Sequence, residues 1–154
     1  MPKGTYNRTS SLALKNARKI KKITKCDALK LEGGSEISKT IQVLVRNKIP
    51  VMAHIGLQPQ KISSKKKYKV LGKLDKEKKK IIKDLKSVEK AGSFSVVLES
   101  VTEKLANEIN KISKIPVIGI GASNKCDGQI LVTEDLLGLT NRIPKFAKKF
   151  INPP

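Results

Sequence analysis

Short Val, Ile and Leu runs alternate along this chain with longer stretches whose apolar residues recur at helical spacing, the rhythm of repeated βα units around a parallel sheet. Over 10–24, Leu12, Leu14, Ala17 and Ile20 predict a helix with Ser10 or Ser11 near its N-cap. Residues 28–32 read as a short strand closed by Gly33-Gly34. Ile37, Ile41, Leu44 and Val45 share one face of a helix over 35–47, and Ile49-Pro50 leads into a strand over 51–55. Residues 56–74, with Pro59, Ser63-Ser64 and Lys65-Lys66-Lys67, form a loop long enough to be functional. A charged helix over 76–91 ends at Gly92, placed for a left-handed cap. Strands over 94–99, 116–120 and 129–133 and a helix over 102–113 complete the pattern.

These five strand-and-helix steps in 154 residues exceed an isolated βαβ unit. They fall short of a closed (β/α)8 barrel, which typically needs about 250 residues. The expected class is α/β with an incomplete architecture, and the 38% hydrophobic content suffices for a buried core.

The charge changes the picture only slightly. Lys and Arg number 33 against 13 Asp and Glu, a formal +20, which raises the question of a polyanionic partner. Only four of the basic residues are Arg (Arg8, Arg18, Arg46 and Arg142), and Lys, Ile and Asn abound, as an A/T-rich coding sequence translates. With three Phe, two Tyr and no Trp there is little to stack on bases, so no specific nucleic-acid role is expected. Cys26 and Cys126 have no partners at metal-ligand spacing, which argues against a zinc site or a disulfide framework and for a reducing, cytoplasmic setting. No apolar run approaches the roughly 18 residues of a membrane span.

In parallel α/β folds the reacting groups sit where strands end. Lys30 and Glu32 alternate on one strand and face the same way, His54 ends the next, and Glu99 ends the one after. Spacing alone leaves other roles open. Lys30 and Glu32 could form an ion pair, His54 could be a hydrogen-bonded core residue, and Glu99 could cap the helix that follows.

Several segments carry a more specific signal. They include Met1-Pro2-Lys3-Gly4-Thr5-Tyr6, Lys30-Leu31-Glu32-Gly33-Gly34, Val51-Met52-Ala53-His54-Ile55-Gly56-Leu57-Gln58-Pro59-Gln60, Val97-Leu98-Glu99, Ile118-Gly119-Ile120-Gly121-Ala122 and Cys126-Asp127-Gly128-Gln129. In order and spacing the chain resembles ketopantoate hydroxymethyltransferase along its whole length. The resemblance implies a (β/α)8 TIM-barrel enzyme that uses Mg2+ and 5,10-methylenetetrahydrofolate to hydroxymethylate the 2-oxo acid 3-methyl-2-oxobutanoate, and that forms homo-oligomers. By position it assigns Glu32 to the metal, Lys30 and His54 to the oxo acid, and Glu99 to proton transfer.

The resemblance covers the C-terminal portion of that barrel, about strands 4 to 8, so residues 1–154 are expected to form a single incomplete domain. The family's first three strands and its metal-binding aspartates are expected to be missing. Lys3 stands where the family prefers Phe, Ala53 where Gly is usual, Gln58 where Thr is usual, and Lys66-Lys67 replaces a common Gly-Gly. The preferred expectation is a truncated form of the enzyme. The alternatives are a short form completed by another chain, a catalytically inert fragment, and a cationic binding protein on the same scaffold.

Overall fold

Thr9, not Ser10 or Ser11, caps the first helix: its extended backbone (φ −138°) lets the hydroxyl accept from the Leu12 N–H at 3.2 Å. The computed structural model describes residues 1–62, 68–140 and 143–151. The pair Ser63-Ser64, the lysine run 65–67, Arg142 and the final Pro153-Pro154 lie outside them. From the N-terminus the elements are α1 (Ser10–Thr24), β1 (Leu29–Glu32), α2 (Ser38–Arg46), β2 (Val51–Gly56), α3 (Asp75–Lys90), β3 (Ser95–Glu99), α4 (Glu103–Ile112), β4 (Val117–Ile120), β5 (Gly128–Gln129) and α5 (Thr133–Leu136). Short 3-10 turns at Ser35–Ile37 and Pro59–Lys61 follow β1 and β2.

The five strands pair in parallel and in sequential order, β1-β2-β3-β4-β5. A doubly wound sheet reverses its strand order at a switch point; this sheet never does, so it is an arc of a singly wound (β/α) barrel. Leu29, Leu31, Val51, Ala53, Ile55, Val96, Leu98 and Val117 are buried against Ile37, Ile41, Leu44, Ile81, Leu85, Leu105 and Ile109 of the helical layer. Parallel register puts Glu32 beside His54, His54 beside Val97, and Gly56 beside Glu99, so the polar candidates share the opposite face. None of the helices described is long and apolar enough to cross a membrane.

Two predicted elements end differently. The strand expected over 129–133 is only Gly128–Gln129, because its ladder with β4 stops at Gly119↔Gln129 and the chain turns into α5 at Thr133. The helix expected over 35–47 opens with a 3-10 turn, since Ile37 (φ −109°, ψ 6°) leaves the helical region before α2 begins. Gly92 does take a left-handed conformation (φ +95°) after α3.

One charged residue holds the turn after β1. Asp84, 1% exposed on α3, accepts from the Ser35 N–H and Ser35 hydroxyl, both at 2.9 Å, and from Lys80. Gly34 makes room for it, as a Cβ there would lie 2.1 Å from the Asp84 Cγ. We predict that Asp84→Ala lowers stability by about 3 kcal/mol, the scale of orphaned buried donors that lose a charged acceptor. Urea unfolding would measure this, and a loss near zero would show that the turn is held by its own backbone.

Candidate active site

The C-terminal ends of β1, β2 and β3 bring the four predicted residues together. His54 is 1% exposed and meets three groups. Its Nδ1 lies 3.4 Å from the Lys30 Nζ, and its Nε2 lies 2.8 Å from the Leu57 carbonyl and 3.1 Å from the Glu99 Oε2. An ammonium only donates and a carbonyl only accepts, so Nδ1 accepts from Lys30 and the ring proton sits on Nε2. The imidazole thus links the Lys30 cation on one strand to the Glu99 carboxylate two strands away.

This arrangement decides between the roles that spacing left open. The Lys30 ammonium goes to His54 and the Glu32 carboxylate goes to Gln60, so the two do not form the ion pair that their alternation allowed. Glu99 turns to His54, while Thr102 occupies the N-cap position of α4. His54 is both a hydrogen-bonded core residue and a member of the polar cluster.

The local backbone is built for this contact. Gly56 (φ +85°) brings β2 against the Glu99 backbone, and the Leu57 N–H donates to the Glu99 carbonyl at 2.9 Å. Ser100, immediately after Glu99, holds a left-handed conformation (φ 49°) costly for a residue with a side chain. Two backbone hydrogen bonds stabilise it there: its N–H donates to the Ile120 carbonyl at 2.9 Å, and its carbonyl accepts from Leu71 at 2.8 Å.

Glu32, 6% exposed, has both oxygens engaged. The Gln60 backbone N–H reaches Oε2 at 3.0 Å and the Gln60 amide Nε2 reaches Oε1 at 3.3 Å. The Tyr6 hydroxyl pins the same residue's backbone, donating to the Glu32 carbonyl at 2.9 Å and accepting from its N–H at 3.2 Å. Burial, and to a lesser degree the Glu32 charge, push the Tyr6 phenol above its ordinary range despite the bond to that carbonyl, so it keeps the proton it donates. Tyr68 is also raised, first by burial and then by the Glu99 and Glu32 charges, which places its phenol within electrostatic reach of both carboxylates.

Tyr6 and Gln60 are the supporting residues that strand-end reasoning missed. Both lie in loops, and their signal is only that a polar residue is buried beside a strand end. For Mg2+ the fit is partial. Among the described residues no three His, Cys, Asp or Glu side chains group as a metal would require, and Glu32 alone supplies one carboxylate of a six-oxygen shell.

Beside Glu32, Lys61 hydrogen-bonds Glu36. Burial alone would raise the Glu36 carboxyl, but the Lys61 ammonium together with the Gly34 and Glu36 N–H groups outweighs it and holds the group below the usual carboxylate range. The stability this contributes is present above the ordinary carboxylate value and is lost as pH falls through the lowered one. We predict that Lys61→Met moves the Glu36 titration upward in carboxyl NMR; an unchanged curve would assign the lowering to the backbone donors.

Comparison with known proteins identifies the family of the chain. The sequence pattern of the family described as ketopantoate hydroxymethyltransferase matches residues 1–153. The chain is 52% identical over 152 residues to a 3-methyl-2-oxobutanoate hydroxymethyltransferase of Pelagibacter ubique, covering 99% of this chain and 58% of that protein. It is 44% identical over 151 residues to the protein of the same name from Brucella canis, covering 97% and 55%. The 3-methyl-2-oxobutanoate hydroxymethyltransferase 2 of Zymomonas mobilis is 48% identical over 150 residues, again covering 97% and 55%. The chain therefore spans little more than half the length of these relatives. In fold it is similar to a putative phosphonomutase from Burkholderia cenocepacia, with a TM-score of 0.56 and 11% identity over 75% of this chain and 50% of the other. With nearly its whole length matched, the chain belongs to the ketopantoate hydroxymethyltransferase family.

Proposed function

We propose that this chain carries the proton-transfer and oxo-acid-binding part of an enzyme that transfers a hydroxymethyl group to 3-methyl-2-oxobutanoate, with 5,10-methylenetetrahydrofolate as the one-carbon donor. The observation that carries the reading is the Lys30–His54–Glu99 chain across β1, β2 and β3 in a member of this family.

The chemistry starts with loss of the C3 proton of the oxo acid. Glu99 takes it: its Oε2 lies 3.1 Å from the His54 Nε2, whose proton goes to the Leu57 carbonyl, and among the described residues no hydrogen-bond donor reaches Oε1. The electron pair left on C3 shifts into the bond to C2, and negative charge develops on the 2-oxo oxygen. Lys30, exposed on the open face of the sheet, supplies a cation for the substrate's negative charge. The nucleophilic C3 then forms a bond to the methylene carbon of the donor. Both carbon–nitrogen bonds of that methylene break, water supplies the hydroxyl, and tetrahydrofolate leaves with the protons on its nitrogens. His54 holds Glu99 and Lys30 in register and excludes water from between them.

Mg2+ stands outside these steps. Glu32 would give it one carboxylate oxygen once freed from Gln60, and the described residues do not complete its shell. We place the protein in the cytoplasm, where the thiols of Cys26 and Cys126, both free, would stay reduced.

The test is exchange of the C3 proton of 3-methyl-2-oxobutanoate in D2O, with and without Mg2+, using the purified chain and a Glu99→Gln control, with size measured in parallel. It isolates enolisation from one-carbon transfer. Exchange above the control is the expected result. A folded chain that gives none would limit this reading to a longer assembly and remove it from the chain by itself.

A further inference from the structure

A cleft of about 990 Å3 opens beside this site and takes no part in the steps above. It lies between the segment preceding α1 and the facing sides of α1 and α2. Leu14, Ile37 and Val43 give it an apolar floor, and Arg8, Lys15, Arg18 and Lys39 line it with positive charge. Its single acidic lining residue, Glu36, is already hydrogen-bonded by Lys61. Arg18 is held in place by donating from Nη2 to the Asn47 Oδ1 at 2.9 Å.

The position of the cleft matters as much as its charge. Tyr6 is fastened to the backbone of Glu32, and the residues directly after it form one wall. On the other side, Lys61 follows Gln60, whose amide grips the Glu32 carboxylate. The cleft therefore continues the candidate active site outward from the end of β1.

A basic rim over an apolar floor suits a flexible chain that carries several carboxylates on methylene stems. It suits nucleic acid poorly, since no aromatic side chain lines it for bases to stack on. The one-carbon donor proposed above ends in glutamate and exists in forms extended by further γ-linked glutamates. We propose that this cleft binds the oligoglutamate tail of that donor, an inference that rests on the function proposed above.

The probe is a dye-labelled penta-γ-glutamate, compared with its monoglutamate counterpart by fluorescence anisotropy on the full chain. The longer probe is expected to bind about tenfold tighter, because several exposed charge pairs add modestly. The double variant Arg8→Glu/Lys39→Glu should abolish that preference. Lys79→Glu/Lys83→Glu makes the same change in net charge in a separate lysine-lined groove on α3 and should retain it. Thermal melts establish that both variants are folded.

Equal loss in both variants would overturn the proposal, since general attraction to a +20 chain would then explain the binding. Equal affinity for the long and short probes would overturn it too. Proton exchange separates this inference from the one it rests on. Cleft-dependent glutamate binding without exchange would remove the enolisation reading alone, and exchange without such binding would remove the tail site alone.

Discussion

Valine in place of Gly56 is expected to lower stability by about 4 kcal/mol or more, at the upper end of single-residue effects. Gly56 has φ +85°, a conformation strained for any residue with a Cβ, and a Cβ there would lie 2.3 Å from the Glu99 carbonyl oxygen and 3.2 Å from its nitrogen. Backbone cannot rotate away as a side chain can. The Glu99 carbonyl already accepts from Leu57, and β3 is fixed on its far side by pairing with β4, so relief would require parting β2 from β3 at the end where His54 meets Glu99. Alanine should show most of the penalty and valine slightly more. Chemical denaturation would measure both. An alanine variant within about 1 kcal/mol of the parent would show that the strands part there with little resistance.

The second large effect is on chemistry. Glu99→Gln should reduce proton exchange from the oxo acid by about 100- to 10,000-fold, the range for removing a positioned general base. Stability should change by less than about 1 kcal/mol, because the side chain keeps its shape and the His54 Nε2–H keeps its bond to the Leu57 carbonyl. The pairing of these outcomes makes the test specific. A variant that loses activity and stability together would report a damaged sheet end, and one that keeps its exchange would place the base elsewhere.

Most of the layered architecture was legible in the sequence, since period-3.6 and period-2 patterns follow directly from which face an element buries. Ile41 and Leu44 marked α2, Ile37 the turn before it, and Ile81, Leu85 and Val88 are the buried apolar residues of α3 despite its many lysines. A parallel α/β sheet of about five steps was legible from the succession of short strands and longer helices, and its place in a barrel was implied by the family resemblance. Ends were harder to read. Thr9, Ser10 and Ser11 all offer a hydroxyl, and only the backbone angle shows which one caps α1.

The strand ends gave Lys30, Glu32, His54 and Glu99, and the structure brings them together. Their partners were hidden for a common reason. Asp84 lies 49 positions from the Ser35 it holds, Gln60 lies 28 from Glu32, and Tyr6 lies 26 from Glu32. Local periodicity carries no information about such pairings, and Asp84 is further disguised as one more charge on a charged helix. That Lys30 would turn to His54, and not to Glu32 on its own strand, also depended on register between strands.

His54 is the chain's sole histidine, and both of its ring nitrogens are engaged by protein groups. A single imidazole signature in a nitrogen-15 spectrum would therefore come from the heart of the cluster, with no resonance assignment needed. Because its ring proton is held by the Leu57 carbonyl with the Glu99 carboxylate 3.1 Å from the same nitrogen, a bound acid that draws on either neighbour would shift that one line. The molecule thus contains its own spectroscopic gauge, able to register ligand arrival in the native sequence before any turnover is sought.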